Sequence, residues 1–180
     1  MISGFEAISS PDAKTLILGS IPSVASLEKK EYYGHPRNAF WWIMGHILGF
    51  APSAAYSERA EYLEKRKIAL WDVLRRCERQ GSLDSAIIAE TVEVNDFKTF
   101  FEERPMITRV LFNGAVAERE FKKRVLREIE TASPHIAYAR LPSTSPAMAS
   151  LSRERKLQIW RDAILGHART VGRHGRGALP

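Results

Sequence analysis

Three polar motifs in this sequence each follow a short apolar run, and they carry side chains able to bind flat rings, phosphate groups or water. The first motif reads GSIPS at Gly19–Ser23 and leads, after a polar stretch, into YYGHPRNAFW at residues 32–41. A glycine directly after an apolar run allows the backbone to turn sharply and to approach a ligand closely. We therefore expect a ligand to contact the first motif, namely Gly19, Ser20, Ile21, Pro22 and Ser23.

The aromatic segment at residues 32–41 contains Asn38. Its amide both donates and accepts hydrogen bonds, which suits holding a water molecule or contacting a ring edge. Taken without its surroundings, Asn38 is better explained as the N-cap of the helix predicted to follow, because Asn is a preferred N-cap residue. Tyr33 and Phe40 each offer a flat apolar face to a ring, although Phe40 also has the position of a core residue at a helix start. Arg37 is placed to reach a phosphate.

The second motif is Asn113-Gly114, at the end of another apolar run. A polar side chain that ends a buried strand points into the crevice at the strand ends, where its amide can pair with the edge of a ring. Asn-Gly is also a common turn signal, so a purely structural turn is the alternative.

The third motif, LPSTSPA at residues 141–147, sets three hydroxyl groups between two prolines. Ser145 and Pro146 have the residue types of an N-cap and a first helical position, so a helix is predicted to begin there. Hydroxyl groups and free amides at such a site suit a phosphate group. Ala147 and Met148 are placed to enter a stack of bases, with a core position as the alternative for Met148. We expect contacts to a polyanion from Ser143, Thr144, Ser145, Ala147 and Met148.

Cysteine and histidine usage argues against a metal site. The single cysteine, Cys77, excludes an internal disulfide, a cysteine-rich zinc site and a four-cysteine iron–sulfur cluster. The five histidines are scattered and include no H-x-x-x-H pair. We therefore expect neither a metal nor any other cofactor.

The charge of the chain is compatible with a polyanionic partner but does not require one. The formal net charge is +6, and three of the arginines lie in the tail 167–180. We expect this tail to be disordered, either as a frayed terminus or as a weak phosphate-binding arm. The sequence contains neither a signal-peptide pattern nor the roughly 18 consecutive apolar residues of a membrane span. We expect a monomeric cytoplasmic protein with a single domain at residues 1–166.

The elements that must position these motifs alternate between strands and helices. Apolar runs rich in β-forming residues predict strands at Thr15–Gly19, Ile68–Leu74, Arg109–Asn113 and His135–Leu141. Helical spacing of apolar residues predicts helices at 38–50, 56–66 and 115–126 and around Leu157, Trp160 and Ile164. Residues 80–93 lack periodicity, which indicates a loop crossing the sheet edge. The alternation predicts an α/β fold, a three-layer α/β/α sandwich around a parallel sheet, with all three motifs at the carboxyl ends of the strands.

Taken together, GSIPS, YYGHPRNAFW, FNG and LPSTSPA resemble the uracil-DNA glycosylase superfamily, and more narrowly its hypoxanthine-DNA glycosylase branch. The resemblance runs from about Leu16 to Pro146. It implies a central four-stranded parallel sheet and an enzyme that flips a damaged nucleotide out of DNA and hydrolyses its N-glycosidic bond. Asn38 would then be the catalytic amide. The first motif, Tyr33, Phe40 and Asn113 would bind the base, while Arg37 and the third motif would bind the DNA backbone.

Two positions depart from the wider superfamily. The residue two places after the first glycine, which positions the attacking water in many relatives as a carboxylate or Asn, is Ile21 here. The histidine that opens the last motif in many relatives is Leu141. Both differences argue against a typical uracil enzyme, and the lack of a strong general base predicts modest turnover. No lysine lies in the motifs to form a Schiff base, so we expect a monofunctional glycosylase.

Three alternatives accompany this interpretation. One is a uracil- or mismatch-specific glycosylase of the same superfamily. Another is a catalytically inactive module that binds damaged DNA, which Ile21 and Leu141 keep open. A serine hydrolase is disfavoured, because the sequence has no G-x-S-x-G elbow and GSIPS has a proline where that turn needs freedom.

Overall fold

The computed structural model describes residues 1–166 of the chain. The strands are Ile2–Ser3 (β1), Thr15–Gly19 (β2), Ile68–Asp72 (β3), Leu74–Cys77 (β4), Glu93–Val94 (β5), Arg109–Asn113 (β6) and Ala137–Leu141 (β7). The α-helices are Val24–Lys29 (α1), Phe40–Leu48 (α2), Tyr56–Lys65 (α3), Phe97–Glu102 (α4), Ala115–Arg124 (α5), Leu126–Ala132 (α6) and Arg153–Leu165 (α7). The basic tail predicted to be disordered lies outside the described residues.

A four-stranded parallel sheet in the order β3-β2-β6-β7 forms the centre of this described part. Every residue of β2 is buried, as expected for an inner strand covered on both faces. A smaller antiparallel sheet, β1-β4-β5, lies beside it. The register of the large sheet aligns Gly19 with Asp72 and Asn113 with Leu141, so the polar strand ends lie along one edge.

Helices form a layer on each face of the parallel sheet. The connection from β2 to β3 and the connection from β6 to β7 run in opposite directions across the sheet, so right-handed crossovers place their helices on opposite faces. Helix α2 packs against α3 and α7, whereas α6 packs against α4 and α5. The predicted three-layer α/β/α sandwich is confirmed. Within residues 1–166 every helix is too short or too polar to cross a lipid bilayer.

Two of the predicted strands, Thr15–Gly19 and Arg109–Asn113, are confirmed to the residue, but the strand predicted at Ile68–Leu74 is wrong at its end. β3 ends at Asp72, and Leu74 already begins β4 in the antiparallel sheet. The backbone changes direction at Val73, whose N–H donates to the carbonyl of Gly19. Because the residues on both sides of the turn are buried and all but Asp72 are apolar, the hydrophobic pattern does not mark the end of β3.

The helix predicted to begin at Ser145-Pro146 is also wrong, because α7 begins at Arg153 with Ser152 as its N-cap. The hydroxyls of Ser143 and Ser145 instead accept hydrogen bonds from backbone amides two residues further along. LPSTSPA therefore folds as consecutive turns that satisfy part of their own backbone, and it presents an irregular loop to the edge of the sheet. Residues 80–93 form the predicted loop, with two short 3₁₀ turns at Asp84–Ala86 and Ala89–Thr91.

Candidate active site

A cavity of about 110 Å³ opens at the carboxyl ends of the parallel strands, and residues of all three motifs line it. The predicted site residues that the structure brings together there are Gly19–Ser23, Tyr33, Asn38, Asn113 and Ser143–Ser145. The cavity is also lined by two carboxyl groups that no motif predicted, Asp72 and Asp84. Nowhere in residues 1–166 do three or more His, Cys, Asp or Glu side chains form a group suited to a metal ion.

The ring of Tyr33 forms one wall of the cavity in a strained backbone conformation. Its φ is +55°, in the left-handed region that costs a non-glycine residue about 1–2 kcal/mol. The ring stacks on Phe40, with 4.1 Å between the ring centroids. Phe40 is fully buried, so its predicted stacking against a ligand is wrong. Phe40 supports Tyr33 from behind, and Tyr33 presents the flat face.

The floor of the cavity lies over Gly19, where the absence of a side chain makes room for two polar groups. A Cβ at this position would clash with Oδ1 of Asp72 and would lie 3.0 Å from Oη of Tyr33. Oη of Tyr33 and Oδ2 of Asp72 are both buried, and neither has a hydrogen-bond partner among the described residues. Because native proteins satisfy nearly all buried polar atoms, two unsatisfied atoms on one cavity floor indicate a polar ligand.

Asp72 is 3% exposed, and its environment favours the neutral acid. Burial and, to a smaller extent, the nearby charge of Asp84 raise the pKa of its carboxyl to about 8, while Arg79 opposes the shift. At neutral pH the group is therefore a hydrogen-bond donor as well as an acceptor. Sequence reasoning missed Asp72 because it counted the apolar run Ile68–Leu74 as one strand. The available signal was a single acidic residue inside that run.

Asn113 holds the third motif in place through Thr144. Its Nδ2 donates to Oγ1 of Thr144 and its Oδ1 accepts from the Thr144 backbone N–H, both at 2.9 Å. The Thr144 carbonyl in turn accepts from the N–H of Ala39, at 3.0 Å. Thr144 is only 1% exposed, and its hydroxyl is occupied by the bond from Asn113. Thr144 ties the segment that carries Asn38 to the strand that carries Asn113.

Replacing Asn113 with alanine is expected to release this connection. Two hydrogen bonds to Thr144 disappear, which should lower the free energy of unfolding by about 2 kcal/mol. Asn113→Asp is the matched control, because its carboxylate still accepts from the backbone N–H and can accept from the Thr144 hydroxyl. Chemical denaturation of both variants measures the difference. Equal stability of Asn113→Ala and the unmodified protein would contradict the role assigned to this pair.

Asn38 lines the cavity while its oxygen stabilises the start of α2. Its Oδ1 accepts from the backbone N–H of Phe40 at 3.0 Å, although the N-cap residue is Ala39. The predicted cap is therefore displaced by one residue. The amide NH₂ group of Asn38 takes no part in this bond and can donate to a molecule in the cavity. The N-cap predicted at Asn38 is thus wrong, although its side chain still accepts from an N–H at the helix start.

Asp84 reaches the cavity from the loop 80–93 and joins the first motif. Its Oδ2 accepts from Oγ of Ser20 at 2.9 Å, and its Oδ1 lies 3.8 Å from Nη1 of Arg79. The Arg79 side chain is fully buried, and its Nη2 donates to the Pro22 carbonyl at 2.6 Å. Burial raises the pKa of the Asp84 carboxyl, whereas the Ser20 hydroxyl and the Arg79 guanidinium oppose this shift.

A basic groove adjoins the cavity on the Asn38 side. It shares Tyr33 and Asn38 with the cavity, and its lining includes the cationic side chains of Lys29, Arg37, Arg59 and Arg153. The Arg153 guanidinium lies over the Trp42 ring, 3.9 Å from its centroid, which fixes a positive charge at the groove edge. Arg37 is exposed, as its predicted contact with a phosphate requires.

A second groove adjoins the cavity on the side of the third motif, and exposed apolar side chains line it. Met148 is 39% exposed and Leu83 is 61% exposed, and Ala147 is also exposed. The core position considered for Met148 is therefore wrong. The Met148 carbonyl accepts from Nζ of the buried Lys156, at 2.6 Å, which anchors this part of the loop to α7.

This chain is similar in sequence and in fold to known proteins. The profile of the Uracil DNA glycosylase superfamily matches residues 6–164. A hypoxanthine DNA glycosylase of Methanosarcina acetivorans is 36% identical over 167 residues, which cover 91% of this chain and 98% of that protein. One from Methanosarcina barkeri is 41% identical over 112 residues, or 62% of this chain and 70% of that protein. The solution NMR structure of a Methanosarcina acetivorans protein described as a uracil DNA glycosylase superimposes with a TM-score of 0.71 and 35% identity, covering 88% of this chain and 96% of that one.

Proposed function

Since this chain belongs to the uracil DNA glycosylase superfamily, we propose that it is a monofunctional DNA glycosylase that removes a deaminated base, hypoxanthine in preference to others. The observation that carries the proposal is the convergence of Gly19–Ser23, Asn38 and Asn113 on one cavity, in a chain that aligns with nearly all of a hypoxanthine DNA glycosylase. The target nucleotide flips into the cavity, at a cost that is lowest where the base pair is already weak.

The flipped base lies against the ring of Tyr33, whose face is held by the stacked ring of Phe40. The six-membered ring of hypoxanthine carries a carbonyl acceptor next to an N–H donor. Oη of Tyr33 and the neutral carboxyl of Asp72 are unpartnered on the cavity floor and match such an edge. Asn113 adds the oxygen lone pair that its bonds to Thr144 leave free, and its remaining N–H lies close to the Tyr33 hydroxyl.

Bond cleavage leaves negative charge on the departing base and positive charge on the sugar. Hydrogen-bond donors aimed at the base therefore stabilise the transition state. The Asn38 NH₂ group orients the attacking water or contacts the base, and backbone amides around Ser20–Ser23 polarise the base. No lysine is found among the described residues that line the cavity, so the reaction ends at the abasic site without a Schiff base.

The DNA backbone follows the basic groove and the hydroxyl-rich loop. Arg37 contacts a phosphate on one side, and Ser143 and Ser145 contact one on the other. Ala147 and Met148 are exposed beside the cavity, where they enter the gap that the flipped base leaves in the stack. Residues in contact with phosphate contribute affinity without sequence preference, so binding should weaken steeply with added salt.

The test is base release from labelled duplexes that carry hypoxanthine, uracil, xanthine, ethenocytosine or no lesion, in the presence of a metal chelator. We expect hypoxanthine to be released faster than uracil. Release of uracil alone would support the glycosylase activity but contradict the proposed preference for hypoxanthine. Binding to all duplexes without any release would favour an inactive module that binds damaged DNA.

A further inference from the structure

The hydrolysis proposed above requires a proton acceptor that the first motif does not supply. A water molecule that adds to C1′ of the sugar must lose a proton, and the amide of Asn38 cannot take it. Ile21, at the position where many relatives carry a carboxylate or Asn, is an apolar residue with 7% exposure. Among the described residues that line the cavity, the carboxyl groups are those of Asp72 and Asp84.

The two carboxyl groups lie at different depths in the cavity, which suits them to different roles. Asp72 is on the floor with 3% exposure, and its unpartnered oxygen is buried there. The Asp84 side chain is 30% exposed and also lines the neighbouring groove that contains Ala147 and Met148. A flipped base enters first and reaches the floor, whereas its sugar stays attached to the DNA backbone at the mouth. Asp84 is thus at the level of the sugar.

Asp84 lies on a loop that two hydrogen bonds hold against the first motif. Ser20, the residue before Ile21, donates its hydroxyl hydrogen to Oδ2 of Asp84 at 2.9 Å. The backbone N–H of Val24 donates to Oγ of Ser82, which fastens the same loop to the end of the first motif. The Asp84 carboxylate therefore occupies the neighbourhood of Ile21 although it comes from a distant part of the sequence.

We infer that Asp84 is a further catalytic residue, whose carboxylate accepts a proton from the water that attacks C1′. This inference rests on the proposed glycosylase function. The C1′–N9 bond breaks and its electron pair leaves with the base, while the water oxygen forms the new bond to C1′. The proton passes from the water to Asp84 and then to solvent, and the base anion takes a proton from solvent. One water molecule is consumed for each base released.

The charges around Asp84 suit this role. Arg79 faces it from the segment after β4, Arg119 and Glu120 face it from α5, and Asp72 faces it from β3. Burial raises the pKa of Asp84, and the two arginines and the Ser20 hydroxyl limit the rise. A base is most effective when its pKa is moved towards the working pH while its ionised form remains populated.

The test is single-turnover release of hypoxanthine from a duplex by Asp84→Asn, with enzyme in excess. Loss of a general base should slow release by about a hundredfold or more. Affinity for the duplex should be unchanged or tighter, since a negative charge next to the DNA is removed. Glu118→Gln is the matched control, because it removes one negative charge on α5, outside the cavity lining, and should keep the rate of the unmodified protein.

Chemical rescue separates this catalytic role from a purely structural one. If Asp84 accepts the proton, Asp84→Gly should regain part of the rate in the presence of added formate, whereas chloride at the same ionic strength should not restore it. A purely structural role predicts no rescue by formate.

An unchanged rate for Asp84→Asn would overturn this inference but not the proposed function, provided that the unmodified protein releases hypoxanthine. The inference would also be overturned if the slow Asp84→Asn variant lost thermal stability and DNA binding to the same extent and if formate did not rescue Asp84→Gly. If the unmodified protein released no base from any duplex, the proposed function and this inference would both fail.

Discussion

Replacing Asn38 with alanine is expected to slow base release by about a thousandfold while DNA affinity stays within about twofold. The amide NH₂ group of Asn38 is the donor proposed to act on the water or the base at the reacting centre. Removing one preorganised donor of this kind costs the transition state more than the bound substrate, so the loss should appear in the rate.

The oxygen of Asn38 requires a second variant, because it accepts from the N–H of Phe40 at the start of α2. Alanine removes that bond and should lower the free energy of unfolding by about 1 kcal/mol. Asn38→Asp keeps an acceptor for the Phe40 N–H but loses the NH₂ donor, so it should retain stability and still be slow. Single-turnover rates, duplex affinity and thermal melting separate the two functions. Full activity of Asn38→Ala would contradict the catalytic assignment.

The second large effect concerns stability and comes from Asp72. Burial raises the pKa of this carboxyl from 3.8 to about 8, so between these values it is neutral in the folded chain and ionised in the unfolded chain. The folded state then binds one more proton than the unfolded state, and stability falls as pH rises. The loss should approach about 1.4 kcal/mol per pH unit in the middle of this range and end above about pH 8.

Asp72→Asn isolates this contribution, because asparagine resembles the neutral acid in shape and cannot ionise. Near pH 4 the two proteins should have similar free energies of unfolding. The variant should become progressively more stable than the unmodified protein up to about pH 8, by several kcal/mol in total. Denaturant titrations at a series of pH values measure the difference, with Asp162→Asn on α7 as a control outside the cavity lining. A constant difference across pH 4–8 would mean that Asp72 is ionised in the folded protein.

The two carboxyl groups therefore have distinct expected signatures. Asp72 should change stability with pH through the folding equilibrium, whereas Asp84 should change the rate at fixed stability. The difference in expected behaviour follows from depth, since Asp72 is buried on the cavity floor whereas the Asp84 side chain is 30% exposed.

Elements made of one apolar run were predictable, because burial on both faces of an inner strand requires apolar residues along its middle. Thr15–Gly19 and Arg109–Asn113 match the structure for this reason, and so the first two motifs were placed correctly at the strand ends. The same rule failed at Val73, where the chain passes from one buried sheet to another. The run is apolar there except for Asp72, and the change that ends β3 is in the hydrogen-bond partners.

Side-chain roles within the motifs were less predictable than their positions. Thr144 and Phe40 were assigned to ligand contacts by residue type, yet both are buried. Met148 is exposed although its residue type favours a core position. Exposure depends on what packs against a loop, and the contacts of Thr144 come from Asn113 and Ala39, far from it along the chain.

The order of apolar runs and polar motifs was sufficient to predict the α/β sandwich and the edge of the sheet that carries the site, and the resemblance of those motifs to a known family indicated Asn38 as the candidate amide. These features depend on residues that neighbour one another along the chain. Asp72 and Asp84 became candidates only after folding, because their burial and their charges come from contacts between distant segments. Ser20 and Asp84 are 64 positions apart and bond at 2.9 Å. Without that contact Asp84 is one acidic residue in a polar loop, and with it the Asp84 carboxyl lines the cavity, bonded to the residue that precedes Ile21.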